Sequence, residues 1–375
     1  MAKHYVFLVP GFFGFSNLGG ITYFHHVREV LEEKFAARGL DVVARGVSTS
    51  PTGSIRARTV RLANQIASTV DDLEDAHIHL VGHSTGGLDT RMLVSPGVSL
   101  PVADGVDVEA IAQRVRSVVT VSTPHMGTPI ASFFNSLMGQ NLLGALSLGT
   151  IYTLRFGRLP LKAIFGLIGV LTRIDRRLGL EHTILEQFYR ELFADFGDDR
   201  SQEIGAFLAE IRQDRAVVGQ LTPGAIDVFN ATANRREGVN CGSVVTRAAG
   251  VSLKAALAVR FDIYSHASHA LFRVLQTMTA RNGHFFDLHP EQESELEKAY
   301  GTAPSCHSND GVVPTLSQLW GELIHVAMAD HLDVCGHFRD KEHDPPHVDW
   351  FISGSGFRRP EFEALWSDVT NFMLR

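Results

Sequence analysis

The sequence predicts an α/β protein in which a mostly parallel sheet is covered by helices on both faces, and three observations lead there. Short apolar runs alternate with helix-patterned segments over residues 4–130, the alternation expected of strands joined by helical crossovers. The runs are apolar at nearly every position, as strands buried on both faces must be. A G-x-S-x-G pentapeptide, Gly82-His83-Ser84-Thr85-Gly86, follows the run His77-Ile78-His79-Leu80-Val81 and opens a helix-patterned stretch. That order gives the strand, sharp turn and helix in which a serine is held at the tip of the turn as a nucleophile.

In chain order the elements read as strand 5–9, helix 22–38, strand 41–47, helix 55–73, strand 77–81, helix 87–94 and strand 115–121. From 131 to 220 the character changes. Leu137, Leu142, Leu143 and Leu146, then Leu161, Ile164, Leu167 and Leu171, are interrupted by Gly139, Gly149 and Pro160, which reads as successive short helices with wide apolar faces. Amphipathic patterns at 184–196 and 203–217 follow. The expected organisation is a core of residues 1–130 and 221–375, with 131–220 inserted as a helical cap over a lipid-accepting cleft and able to open. Strand character returns at 243–245 and a helical pattern at 255–275. The last strand is 322–328, and a loop rich in His, Pro and Gly at 339–357 leads to a closing helix at 359–374.

Composition bounds the function. A chain of 375 residues, 45% hydrophobic and 20% charged, can bury a substantial core and is not a disordered chain. A net charge of -7 leaves no basic footprint for nucleic acid, which is excluded as a partner. The N-terminal apolar run is too short for a signal h-region and has no small-residue cleavage site, so it reads as the first core strand. The longest apolar stretch elsewhere, 163–171, is far below a bilayer span, and no transmembrane segment is expected. Cys241, Cys306 and Cys335 are odd in number, widely spaced and outside any CxxC pattern, so a reducing setting is expected, with one bridge left open. With no signal segment visible the expected location is cytoplasmic, secretion by another route being the alternative.

A serine hydroxyl is a weak nucleophile at neutral pH, so Ser84 requires a base, and the base requires a group that fixes its tautomer. In α/β-hydrolases these follow the serine in the order acid, then histidine, each on a loop after a late strand. Asp310 stands in the polar turn Ser308-Asn309-Asp310-Gly311. His331 directly follows the strand 322–328, a position that favours it over His307, His325 and His337. Asp330 and Asp333 flank His331 too closely to turn back onto its ring. Two backbone N–H donors are also needed for the oxyanion: Thr85, after the nucleophile, and Phe12, in the loop Pro10-Gly11-Phe12-Phe13-Gly14 after the first strand.

These blocks resemble the bacterial true lipases of the Pseudomonas and Burkholderia type. The resemblance runs through Pro10-Gly11-Phe12-Phe13-Gly14-Phe15, Asn17, Gly20 and Tyr23, the elbow Gly82 to Gly87, Ser122-Thr123-Pro124-His125-Met126-Gly127-Thr128, Asn309-Asp310-Gly311 and His331-Leu332-Asp333. It implies an α/β-hydrolase fold and a serine carboxylester hydrolase acting on lipid-like acyl esters, with lipid as its partner and no cofactor for chemistry. It also implies a structural Ca²⁺ bracing the histidine loop, with Asp333 matching one ligand and Asp287 the best match for a second; calcium takes several hard oxygen ligands. A phospholipase, thioesterase or acyltransferase on the same fold, or a non-catalytic lipid-binding module, are the alternatives. Residues 131–220 have no counterpart in the resemblance, so substrate choice does not transfer. The stretch holding His337, His343 and His347 lacks firm metal spacing and reads as a solvated loop.

Overall fold

A computed structural model of the chain describes residues 3–18, 21–172, 181–250, 259, 262–281, 288–340, 349 and 351–375. Its strands are β1 (Lys3–Val9), β2 (Asn17–Leu18), β3 (Ile21–Thr22), β4 (Val42–Gly46), β5 (Ala76–His83), β6 (Val115–Val121), β7 (Asn240–Arg247) and β8 (Glu322–Met328). Six of them form one sheet in the order β4-β1-β5-β6-β7-β8, every neighbouring pair parallel. β2 and β3 make a separate antiparallel ribbon.

Alternation along β1 shows why the sheet must be covered twice. Val6 and Leu8 enter one hydrophobic cluster, with Val27, Leu31 and Trp366. Tyr5, Phe7 and Val9 enter another, with Leu62, Ile66 and Leu93. Successive side chains of a strand point to opposite faces, so helices must bury both. On one face lie α1 (Val27–Ala36) and, far along the chain, the closing helix Arg359–Met373; on the other lie α2 (Ile55–Thr69), α3 (Thr85–Val94) and α4 (Val108–Arg114).

Between β6 and β7 the regular elements among the described residues are helices: α5 (Pro129–Phe134), α6 (Leu137–Phe156), α7 (Leu161–Leu171), α8 (Glu181–Ala194), α9 (Asp198–Gln213), α10 (Ala216–Gln220) and α11 (Pro223–Thr232). After β7 come α12 (Ile263–Thr279) and α13 (Pro290–Tyr300), and α14 (Arg359–Met373) closes the chain. Within this region the expectation of short, glycine-broken helices is corrected, because α6 runs unbroken through Gly139, Gly144 and Gly149. At Gly139 the glycine permits contact: a Cβ there would lie 2.1 Å from the Phe133 carbonyl oxygen of α5. Tertiary packing overrides the propensity cost of about 1 kcal/mol.

The expected helix 22–38 is likewise shorter. Ile21–Thr22 pairs with Asn17–Leu18, and His26 takes a left-handed conformation (φ 58°) before α1 begins. His337 is buried, its Nε2 2.7 Å from the Tyr23 carbonyl, which corrects the solvated-loop reading at that position; His343 and His347 lie outside the described residues. The three cysteines are free thiols.

Candidate active site

Ser84 and His331 lie directly after β5 and β8, and Asp310 comes from the loop after α13 and packs on Thr246 near the carboxyl end of β7. Ser84 sits between β5 and α3 at φ 55° and ψ -127°, a conformation that costs about 1–3 kcal/mol for a residue with a Cβ. The surroundings impose it. Gly82 and Gly86 are forced together, so that a Cβ on Gly82 would meet the Gly86 carbonyl oxygen at 2.4 Å, and one on Gly86 would meet the Val9 carbonyl oxygen at 2.2 Å. The N–H of Ser84 donates to the Val121 carbonyl (2.8 Å), which ties the turn to the end of β6.

Asp310 is wholly buried after a long excursion from β7. Its Oδ1 accepts from the N–H groups of Val312 (3.0 Å) and Val313 (2.7 Å). Its Oδ2 lies 2.8 Å from His331 Nδ1, 2.9 Å from the Thr246 hydroxyl and 3.3 Å from Gln318 Nε2. With a carboxylate facing it, His331 Nδ1 is the donor, and Nε2 is left as the basic nitrogen. The N–H of His331 also donates to the Asp310 carbonyl (3.1 Å), fixing the two loops by backbone as well as side chain.

Ser84 and His331 border the same cavity, of about 130 Å³ and almost wholly apolar, together with Phe12, Thr85, Leu146 and Leu275. Thr85 is the first residue of α3, where a helix N–H has no intrahelical acceptor. Phe12 follows Gly11, whose own position is tight: a Cβ would stand 2.6 Å from Ser84 Cβ.

Behind these groups lies a connection that the sequence did not announce. His83 is buried, and its Nε2 is 2.8 Å from the His331 carbonyl, so Nε2 carries the hydrogen. Nδ1 is then an acceptor for the Tyr23 hydroxyl (2.7 Å), and that oxygen accepts from the Gly11 N–H (3.0 Å). Burial, reinforced by the neighbouring His331, pushes the His83 pKa well below its ordinary value, which keeps the ring neutral as this ordering needs. One chain of hydrogen bonds thus joins the loop of Phe12 to the loop of His331. Arg58 secures the first of them: its Nη2 donates to the carbonyls of Pro10 (2.7 Å) and Gly11 (3.1 Å), while the guanidinium pairs with buried Asp89 at 2.8 Å.

Tyr23→Phe removes the acceptor for Gly11 and the donor for His83. The expected result is a loss of about 1–3 kcal/mol in stability for unpaired buried groups, and a kcat loss of about tenfold with KM moving less, if the loop of Phe12 stabilises the transition state. An unchanged kcat with the same ester would show that the connection is structural only.

Asp333, in the turn after His331, lies with Asp330 and Asp349, one carboxylate oxygen of each within 4.8 Å of the others. Burial, then the charges of Asp330 and Asp349, push Asp333 well above its ordinary range, and burial raises Asp330 to about 6. Asp330 Oδ2 and Asp349 Oδ1 are buried without a hydrogen-bond partner. Asp287 lies outside the described residues. Asp330 and Asp349 were missed in the sequence, as were Thr246 and Gln318. Nothing in their local patterns distinguishes them from solvated or structural polar residues.

Residues 1–155 match the family described as "Putative serine esterase (DUF676)". The chain is 27% identical over 151 residues to the triacylglycerol lipase of Pseudomonas fragi, covering 39% of this chain and 44% of that protein. It is 29% identical over 132 residues to triacylglycerol lipase 2 of Saccharomyces cerevisiae, covering 34% and 35%. The chain therefore spans less than half the length of these curated relatives. Among solved structures, the lipase of Staphylococcus hyicus matches with a TM-score of 0.53 at 15% identity, covering 100% of this chain and 96% of that one. Lipase 1 from Pelosinus fermentans matches with a TM-score of 0.52 at 16% identity, covering 95% and 98%. Identity this low speaks for the fold alone, and with the six-stranded parallel sheet, the flanking helices and the turn at Ser84 it gives the chain the α/β-hydrolase fold.

Proposed function

We propose that this protein is a serine carboxylester hydrolase acting on esters with apolar, lipid-like acyl chains. The observation that carries the reading is the 2.8 Å contact of His331 Nδ1 with buried Asp310, beside a strained Ser84 on the same apolar cavity. Ser84 Oγ attacks the ester carbonyl as its proton passes to His331 Nε2. The N–H groups of Phe12 and Thr85 donate to the oxyanion. The C–O bond to the alcohol then breaks, and that oxygen takes the proton from His331. Water, deprotonated by the same nitrogen, attacks the acyl-enzyme and releases the acid and Ser84. Similarity over part of the chain to triacylglycerol lipases supports the ester class, and exposed Phe165 and Ile263 on α7 and α12 suit transient contact with a lipid surface. A fluorophosphonate probe should label Ser84 stoichiometrically and abolish ester hydrolysis in parallel. Hydrolysis that survives complete labelling overturns the assignment.

The calcium implied by the resemblance fits residues present here, since two buried carboxylates and the half-buried Asp349, two of the three with unpartnered oxygens, form a hard-oxygen donor set. Asp330, Asp333 and Asp349 would hold the ion. When bound it supplies charge neutralisation and ties the turn after His331 to the segment of Asp349. Calcium at about a hundredfold over its Kd should stabilise the fold by about 2.7 kcal/mol. Asp333→Asn should invert this pattern: with chelator the variant is the more stable, because one crowded buried charge is gone, and with calcium the parent is. Thermal midpoints of both proteins in chelator and in calcium check it; midpoints that ignore calcium would remove the ion from the picture.

A further inference from the structure

Beyond the catalytic cavity lies a second apolar chamber, between α6, α7 and α12, of about 20 Å³. The two spaces share three lining side chains, Leu146, Leu275 and Phe351. From the catalytic cavity outward, α6 contributes Leu143, Leu146, Gly149 and Thr153, and α12 contributes Leu275, Leu271, Ser268 and Tyr264. Steps of three and four residues place each set on one helix face, so two facing stripes run in opposite chain directions along one trough. From Leu143 to Thr153 the trough extends about 15 Å at ~1.5 Å per residue. Ile164 and Leu167 of α7 close its far side.

Along α6 the trough is apolar even where the sequence is not, and on α12 only the hydroxyls of Ser268 and Tyr264 interrupt it. Ser147, Thr150 and Thr153 each turn their hydroxyl back to the carbonyl four residues earlier, at 2.8, 2.7 and 2.8 Å. Little is left on the α6 side to hydrogen-bond a polar ligand, and a space this small holds about one water at most. What such a trough accepts is an unbranched hydrocarbon.

We propose that the second chamber is the distal acyl site, entered when the chain displaces Leu146, Leu275 and Phe351, so that these three side chains set acyl-chain length. The proposal rests on the ester-hydrolase reading and adds its substrate class: esters of straight-chain acids of about twelve carbons, the length that ~1.5 Å C–C bonds in zigzag need to follow the trough. Short acyl groups end in the catalytic cavity and gain nothing from the trough. Each further methylene buried is worth up to about fourfold in kcat/KM.

The experiment compares kcat/KM for p-nitrophenyl dodecanoate and butanoate in the parent, in Ser268→Phe, which fills the chamber, and in Leu275→Ala, which widens its entrance. A fluorophosphonate probe measures Ser84 labelling in each. The dodecanoate-to-butanoate ratio should fall about tenfold or more in Ser268→Phe and rise severalfold in Leu275→Ala. Should Ser268→Phe fail to fold, the ratio in Leu275→Ala decides. Ratios within twofold of the parent, with Ser84 labelled, overturn the chamber and leave the esterase reading standing; absence of labelling in the parent overturns both.

Discussion

Ser84→Ala will lower ester hydrolysis by about 10⁴-fold or more while leaving the fold intact, because it removes the proposed nucleophile and little else. The variant keeps the Cβ that packs against Gly11, and the strain at φ 55° is imposed by Gly82, Gly86 and the bond from Ser84 N–H to Val121. Alanine meets the same backbone demand. Asp310→Asn will approach that loss without an equal loss of fold. Val312 and Val313 still require an acceptor at Oδ1, so the new amide turns its NH₂ toward His331 Nδ1 and favours the wrong tautomer. Initial rates on a soluble ester, with urea midpoints for each variant, test both. A Ser84→Ala protein retaining most of its activity ends the proposed mechanism.

Arg58→Met will be the most damaging substitution for stability, at about 3–5 kcal/mol, the cost of leaving a buried charge without its partner. Arg58 and Asp89 are both wholly buried, and the same guanidinium holds the carbonyls of Ser50, Pro10 and Gly11. The pH dependence follows from Asp89. Burial raises its pKa to about 6 even with Arg58 beside it, above the ordinary carboxylate value of 3.8. The folded state therefore takes up this proton before the unfolded state does, and the penalty of burying the charge fades as pH falls through the folded pKa. Without Arg58 that pKa rises further, so the deficit of the variant relative to the parent should be larger at pH 8 than at pH 5. Arg58→Met combined with Asp89→Leu should recover much of the loss. Urea midpoints at the two pH values check this, and an equal deficit at both would show that Asp89 is not the source.

The sheet, the turn at Ser84 and the order of the candidate triad were legible because each depends on local pattern. Apolar runs require burial on both sides, and small residues on either side of a serine permit one kind of turn. Helix continuity was less legible. Gly139 and Gly149 read as breaks, yet α6 passes through them, since a glycine can also mark where another backbone comes close. His337 read as solvated because its neighbours are charged, and it is buried against Tyr23.

The supporting groups were hidden for one physical reason: they act across long sequence separations. Thr246 and Gln318 reach Asp310 only because β7 and the 3₁₀ turn at Thr315–Gln318 are brought together. Tyr23 and His83 join the loops of Phe12 and His331 through three hydrogen bonds that no local spacing encodes. The sequence by itself determined the fold class and which residue types could do chemistry, because hydrophobic period and turn chemistry are local properties. Only the tertiary structure decided which carboxylates crowd around Asp333, which hydroxyls turn inward, and where apolar space opens beside Ser84, because packing and desolvation arise between segments that meet only on folding.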